Sequence, residues 1–453
     1  MGRLFGTDGV RGVAITELTC ELAMNIGRAA ALVLAKYKNN EKKATILIGK
    51  DTRISSDTLE AALIAGIASV GACAELLGVV PTPALAYLIK EFDADGGIMI
   101  SASHNPFEDN GIKLFSGSGE KLPDEVEEEI EEYILDEPEK ILIKSGAEVG
   151  IIRSLYSGKD TYINYLKEST GGDLSGLRLI FDCANGSACS CAEVFSEMGA
   201  VCDFTGNEPN GLNINKNCGS THLNALSEKV KAGNYHAGIA FDGDADRCLF
   251  IDEKGAEVSG DKIIALLAKS MKEKGELKNN TAVVTIMSNL GFHEFMRENG
   301  INTVSTKVGD RYVYEEMKKN AHNIGGENSG HIILSDYATT GDGLLTAARF
   351  LRLLKESGKP LSELAAYIKD YPQILIGVKI SPEMRATWSE NKRITEVIEE
   401  AEAYFGGSRQ GRVNVRASGT EPLLRIMIEG KDQSDVELWV KKIKEVVENE
   451  LCV

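Results

Sequence analysis

The chain has 453 residues, 43% hydrophobic and 26% charged, with a formal net charge of −18. That balance suits a folded chain of about three domains and excludes a disordered one. So acidic a chain repels nucleic-acid phosphates and anionic membranes, so neither is expected as a partner, and a phosphorylated ligand needs local Arg and Lys to reverse the field.

Met1–Gly12 is polar and Gly-rich, without the apolar core of a signal peptide, and holds Asp8 and Arg11 in a Gly-rich turn. The nine cysteines show no CxxC and no zinc-site spacing; reduced thiols in a cytoplasmic setting are expected, with Cys248 a small buried filler. Thr45–Ile48 reads as a strand running through Gly49–Ser56 into a helix, which Asp57 and Glu60 are spaced to open as a capping box. Ala61–Val80 contains Ser69 and Glu75 and reads as a buried helix and strand, not a membrane span.

The apolar run Ile98–Ile100 leads into Ser101, Ala102, Ser103, His104, Asn105 and Pro106. A serine at the end of a buried strand sits where α/β folds place active sites, and His104 or Lys113 can supply a base or a charge. A polar turn satisfying its own backbone is the plainer alternative, and the residues alone do not choose between Ser101 and Ser103. Pro123 opens an acidic helix, Asp124–Tyr133, and Asp136–Ile152 reads as a crossing between domains. Leu177–Phe181 is the next strand, followed by a turn and a helix through Met198.

The sharpest local feature is Asp242, Gly243, Asp244, Ala245, Asp246 and Arg247, between the apolar runs Ala237–Phe241 and Cys248–Ile251. Three short carboxylates at alternate positions converge on a hard cation if the backbone turns around it, and their mutual repulsion favours one. A solvated acidic turn is the bland alternative. With Glu253 these aspartates also match the carboxylate spacing of a calcium-binding helix–loop–helix, but Arg247 stands where that loop needs Gly and the flanks read as strands. Ala282–Ile286 is another strand, with a helix through Asn299. Lys307–Arg311 repeats the mix of Asp, Arg and Gly seen around Asp8 and Arg11, and the Gly-bordered Glu327–His331 offers carboxylate, hydroxyl and imidazole groups suited to a sugar. Arg416, Ser418, Gly419, Thr420 and Arg425 offer a cationic cradle suited to phosphate. The C-terminal pattern is strand Ile374–Ile380, helix Thr387–Ala403, strands Arg412–Val415 and Leu424–Glu429, then a helix opened by a capping box of Ser434 and Glu437. That order implies a small α+β domain.

In order, the serine loop, the aspartate loop, the Glu327–His331 loop and the Arg416–Thr420 loop resemble those of the α-D-phosphohexomutase superfamily over essentially the whole chain. FGTDGVRG (Phe5–Gly12), GLNINKNCGSTH (Gly211–His222), TKVGDRYV (Thr306–Val313) and RASGTEP (Arg416–Pro422) are most similar to its branch acting on glucosamine phosphates. The resemblance implies four domains around a central cleft, three α/β/α with mixed sheets and one C-terminal α+β. We place them at residues 1–152, 153–253, 254–371 and 372–453. It implies a phosphosugar mutase of the isomerase class, interconverting glucosamine 6-phosphate and glucosamine 1-phosphate through a phosphoserine and a 1,6-bisphosphate, for amino-sugar and peptidoglycan precursor synthesis. A glucose or mannose phosphate mutase, or a non-catalytic sugar-phosphate-binding homologue, is the alternative. It further implies phosphorylation of Ser103 and one Mg²⁺ per chain held by Asp242, Asp244, Asp246 and the phosphate on Ser103. His104 would orient the serine loop, Lys113 and His331 would move protons, and Arg247 would donate to the transferring group. Arg11, Gly309, Asp310, Glu327, Ser329 and His331 would bind the substrate, with Arg416, Ser418, Gly419, Thr420 and Arg425 on its phosphate. A sugar 1,6-bisphosphate would be the activator, and a homodimer is implied.

Overall fold

The computed structural model describes all residues except 1, 7, 39–42, 382–383, 407–410, 419–422 and 452–453, and excludes the side chain of residue 386. The chain divides into two compact units, one of residues 1–287 and 301–366, the other of residues 288–300 and 367–453.

The first unit contains three sheets. The first comprises β1 (Val10–Val13), β2 (Thr45–Lys50), β3 (Cys73–Val79), β4 (Gly96–Ile100), β5 (Asp109–Ser116) and β6 (Ile152–Ser154), in the order β1-β5-β4-β2-β3-β6. β2 pairs in parallel with β3 and β4, while β5 runs antiparallel to β4 and β1. Every residue of β4 is buried, which explains its unbroken apolar run. Alternation sorts the sides: Ile46, Ile48, Ile98 and Ile100 pack with Ile26 and Leu63, and Leu47 and Met99 pack with Leu85 and Ile89. The helix after β2 spans Ile54–Ser69, so the expected capping box fails. Asp57 lies inside the first turn and pairs with Lys50 at 2.7 Å, its carboxylate drawn to a cation instead of to the helix end. The expected crossing at Asp136–Ile152 forms two short 3₁₀ turns that lead into β6, which joins β3 in parallel.

The second sheet has β7 (Arg178–Asp182), β8 (Val201–Thr205), β9 (Ala237–Phe241), β10 (Cys248–Asp252) and β11 (Glu257–Val258), in the order β11-β10-β9-β7-β8. β9 and β10 are an antiparallel pair with Phe241 opposite Cys248. The long helix expected after β7 is instead a 3₁₀ turn at Ser187–Ser190 and a helix of one turn, Val194–Glu197. Here the backbone bonds to other loops: Ala184 and Asn185 are left-handed, and Ser187 N–H reaches Gly243 O at 2.8 Å. The third sheet has β12 (Thr281–Thr285), β13 (Asn302–Thr306), β14 (Gly325–Gly326) and β15 (Ile332–Ile333), in the order β13-β12-β14-β15.

The second unit is α+β. Its sheet has β16 (Gln373–Lys379), β17 (Arg412–Ala417) and β18 (Leu423–Glu429), all antiparallel in the order β16-β18-β17. The expected helix at Thr387–Ala403 is broken: a 3₁₀ turn at Trp388–Glu390 precedes a helix over Lys392–Phe405, whose cap is Asn391, accepting from Arg393 N–H at 3.0 Å. The last helix, Gln433–Leu451, is opened by Asp432, which accepts from Ser434 N–H at 2.8 Å, so the Ser434–Glu437 box does not form. Ile426 and Ile428 pack with Ile394, Phe405, Trp439 and Ile443.

Ile426→Ala removes a fully buried side chain from that core. We expect a loss of about 2–5 kcal/mol, read as a lower urea midpoint for the second unit. An unchanged midpoint would contradict this packing.

Candidate active site

The β9–β10 hairpin fixes the aspartate loop. Its strands pair up to Phe241 and Cys248, so Asp242–Arg247 is the connection and its flanks are strands, which rules out the helix–loop–helix geometry. Asp242, Asp244 and Asp246 are buried, and each offers an oxygen within 4.8 Å of the others. One oxygen each of Asp244 and Asp246 is buried without a hydrogen-bond partner. Burial, then repulsion from Asp246 and Asp244, raises the Asp242 carboxyl well above the ordinary range. An all-carboxylate donor set with orphaned oxygens fits a hard divalent cation.

Ser103 points into this cluster. Its Oγ donates to Asp242 Oδ2 at 2.6 Å and lies 3.4 Å from His104 Nδ1. Its backbone is left-handed at φ 52°, and its N–H donates to Ser101 Oγ at 3.0 Å. The two serines thus differ: Ser101 braces the turn and Ser103 faces the carboxylates. Burial, then Arg247 and Arg11, lowers the His104 pKa to about 4, so its ring is neutral.

Lys113, from β5, is 2% exposed, with Nζ 2.8 Å from Asp244, 3.0 Å from Asp8 and 3.7 Å from Asp246. Burial alone would lower its pKa, but Asp244, Asp8 and Asp246 raise it above that of an ordinary lysine. Thr82 Oγ1 also donates to Asp244, at 2.6 Å. His331 stands between two carboxylates, with Nδ1 3.5 Å from Asp246 and Nε2 3.4 Å from Asp310. Gly341 N–H donates to Nε2 at 3.0 Å, which places the proton of the neutral ring on Nδ1; burial alone would lower the His331 pKa, but Asp246 and Asp310 raise it. The ring lies so close that a Cβ on Gly341 would sit 2.5 Å from it.

Lys121 closes the circuit by donating to Asp8 at 2.7 Å and Asp310 at 2.6 Å. Arg11 pairs with Asp8 and reaches Ala102 O at 3.4 Å. Arg247 N–H donates to Asp242 at 3.2 Å, and its backbone bridges to His331, stitching the Glu327–His331 loop to the hairpin. Glu327 accepts from Gly309 N–H at 3.0 Å, and Ser329 is half-buried beside it.

The first unit thus brings together Ser103, His104, Lys113, the three aspartates, Arg247, Arg11, Gly309, Asp310, Glu327 and His331. Thr82 and Lys121 are part of the same network, and Asp8 is its hub. Reading the sequence assigned no role to any of these three, because each joins the network through a lysine or carboxylate more than a hundred residues away. In the second unit Arg416 and Arg425 are direct cross-strand partners on β17 and β18, and Ser418 is buried beside them. Burial and Arg425 lower the Arg416 pKa, marking a cationic pair suited to an anion. Gly419 and Thr420 lie outside the described residues.

Four descriptions of phosphoglucomutase/phosphomannomutase domains match in order: alpha/beta/alpha domain I at residues 2–140, domain II at 160–255, domain III at 259–371 and the C-terminal domain at 375–446. The chain is 50% identical over 452 residues to the phosphoglucosamine mutase of Acetivibrio thermocellus, and 51% identical over 454 to that of Caldicellulosiruptor saccharolyticus, covering 100% of both chains in each case. Among solved structures, a phosphoglucomutase/phosphomannomutase family protein of Burkholderia thailandensis shares the fold with a TM-score of 0.81 at 21% identity, over 98% of this chain and 97% of that one. Aspergillus fumigatus N-acetylphosphoglucosamine mutase, in complex with GlcNAc-6P and magnesium, does so with a TM-score of 0.70 at 18% identity, over 98% and 95%.

Repulsion within the aspartate cluster is testable without turnover. In chelator at alkaline pH, where Asp242 carries its charge despite the raised pKa, Asp242→Asn should raise the melting temperature, since it removes one of three crowded charges. Added Mg²⁺ should stabilise the unaltered protein far more than the variant, whose cation affinity falls by more than the roughly 10–100-fold typical of an outer-shell change. A lower melting temperature for the variant in chelator would contradict the repulsion.

Proposed function

The chain belongs to the phosphoglucomutase/phosphomannomutase family, and from that membership we infer that it interconverts glucosamine 6-phosphate and glucosamine 1-phosphate, the reaction of its half-identical relatives. The observation that carries the reading is the Ser103 hydroxyl 2.6 Å from Asp242 inside a buried cluster of carboxylates. The four domains are assigned joints near residues 152, 253 and 371, in or beside the intervals between the matched segments.

In this reading Ser103 carries a phosphoryl group at rest. The sugar's C1 hydroxyl attacks that phosphorus; the bond to Ser103 Oγ breaks, the bond to O1 forms, and a 1,6-bisphosphate results. After the sugar turns over, Ser103 Oγ attacks the 6-phosphate and O6 leaves, taking a proton. Each step exchanges one P–O bond for another, so no net water or phosphate is consumed. Asp242, Asp244 and Asp246, with a phosphate oxygen on Ser103, would hold one Mg²⁺, which when bound neutralises charge on the transferring group. Lys113, kept protonated by three carboxylates, stabilises negative charge and donates a proton to the oxygen leaving phosphorus. His331, held between Asp246 and Asp310, takes the proton of the attacking hydroxyl, and the two exchange roles in the second half-reaction. Neutral His104 orients the serine loop. Arg247 and Arg11 donate to phosphate near Ser103, while Glu327 and Ser329 grip sugar hydroxyls and Gly309 and Asp310 bind the substrate beside them. The cationic pair Arg416 and Arg425, with Ser418, Gly419 and Thr420, is assigned to the phosphate that is not reacting. A sugar 1,6-bisphosphate restores Ser103 if its phosphate is lost.

We assign the protein to the cytoplasm, where its substrate and its free thiols would both be maintained; eight described cysteines are unpaired, and no described helix is long and apolar enough to cross a membrane. A homodimer is the assembly this reading implies.

Turnover of glucosamine, glucose and mannose 6-phosphates, compared at saturating Mg²⁺ and bisphosphate, tests the function. We expect glucosamine 6-phosphate to have the highest kcat/KM and Ser103→Ala to abolish turnover of all three. A preference for glucose or mannose phosphate would move the chain to that branch. Full activity in Ser103→Ala would remove the mechanism.

A further inference from the structure

Gly211–His222 supplies no group to the chemistry above, yet it is built against the serine loop. Ile54 N–H donates to Gly211 O at 3.0 Å, and Asn215 N–H donates to Ala184 O at 2.8 Å. Asn215 is 5% exposed and left-handed at φ 58°. Its Nδ2 donates to two carbonyls, Ser103 O and Asn105 O, both at 2.9 Å. Arg53, 2% exposed, reaches the same two carbonyls through one nitrogen, Nη2, at 3.2 and 2.6 Å. Its other terminal nitrogen pairs with Asp51, which in turn accepts from Arg53 N–H at 3.0 Å and Ser56 Oγ at 3.1 Å. The metal loop abuts this clamp: a Cβ on Gly243 would lie 2.5 Å from Ser103 O and 2.9 Å from Asn215 Nδ2.

Serine does not hold a left-handed backbone unless its surroundings impose it. Four hydrogen bonds from two buried side chains converge on the carbonyls of Ser103 and Asn105, and Asn215 brings them from the segment that also touches the hairpin loop. We propose that Asn215, backed by Arg53, is a positioning residue for phosphoryl transfer. It fixes the left-handed turn at Ser103, so that Oγ stays on the aspartate cluster through both half-reactions. Without it the serine backbone relaxes and the phosphoryl group leaves its attack line, while substrate contacts elsewhere are untouched. The proposal rests on the phosphoserine reading above.

The test compares Asn215→Ala and Asn215→Leu, the second keeping volume without donors, with the unaltered protein. We expect kcat and kcat/KM to fall together by about 100-fold with KM unchanged, the signature of a lost alignment. Transfer of phosphate from a sugar 1,6-bisphosphate to Ser103, followed by intact mass, should slow in parallel, and the Mg²⁺ affinity of the dephosphorylated protein, which the three aspartates set, should not change. Arg53→Lys keeps a cation beside Asp51 but loses the fork, and should show a smaller loss of the same kind. It serves as the deciding variant if the Asn215 substitutions do not fold. Wild-type kcat in Asn215→Leu or in Arg53→Lys, or a loss confined to KM, would overturn the positioning role. If the unaltered protein neither turns over nor takes phosphate on Ser103, the phosphoserine reading itself has failed.

Discussion

Three buried aspartates, each with a carboxylate oxygen within 4.8 Å of the others', are the constraint around which the first unit is organised. Such a cluster is unstable alone, and every neighbouring element bears on it. β5 delivers Lys113, the Glu327–His331 loop delivers His331, the hairpin's own backbone delivers Arg247 N–H, and the helix over Thr82–Glu91 delivers Thr82. Two oxygens of the cluster remain orphaned, a residual demand that a divalent cation could meet. The same carboxylates that could hold a cation keep Lys113 charged and bind the Ser103 hydroxyl, so cation affinity, proton inventory and serine placement are one electrostatic problem.

The fold solves it with strand ends. β4 is buried at every position and so places the serine loop rigidly at its carboxyl end. The β9–β10 hairpin holds the aspartate loop by antiparallel register. Charges then alternate around the site: Asp8 faces Arg11, Lys113 and Lys121, and Asp310 faces Lys121 and His331. In a chain of net charge −18, this is how cations are concentrated where the proposed reaction would place a phosphosugar.

Local pattern made some of this legible and not the rest. The Asp242–Arg247 motif and its strand flanks can be read directly, since spacing and burial are both local. β2 with its following helix, and the α+β order near the C-terminus, follow from periodicity for the same reason. Capping failed where a competing partner lay off the helix: Asp57 is taken by Lys50, and Asp432 outcompetes Ser434. The helix expected after β7 failed because Ser187 spends its N–H on Gly243. Ser103 could not be told from Ser101 by residue type, because the difference is a backbone turn and a partner 139 residues away. Lys121, Arg53 and Asn215 escaped for that reason too.

In the proposed function this electrostatic cage passes a phosphoryl group through one serine. Intact mass of the purified protein, followed by peptide fragmentation, addresses it most directly. We expect a single phosphate on Ser103, discharged by a monophosphosugar and restored by a sugar 1,6-bisphosphate in Mg²⁺. A phosphate on Ser101, or none after bisphosphate and Mg²⁺, would contradict it.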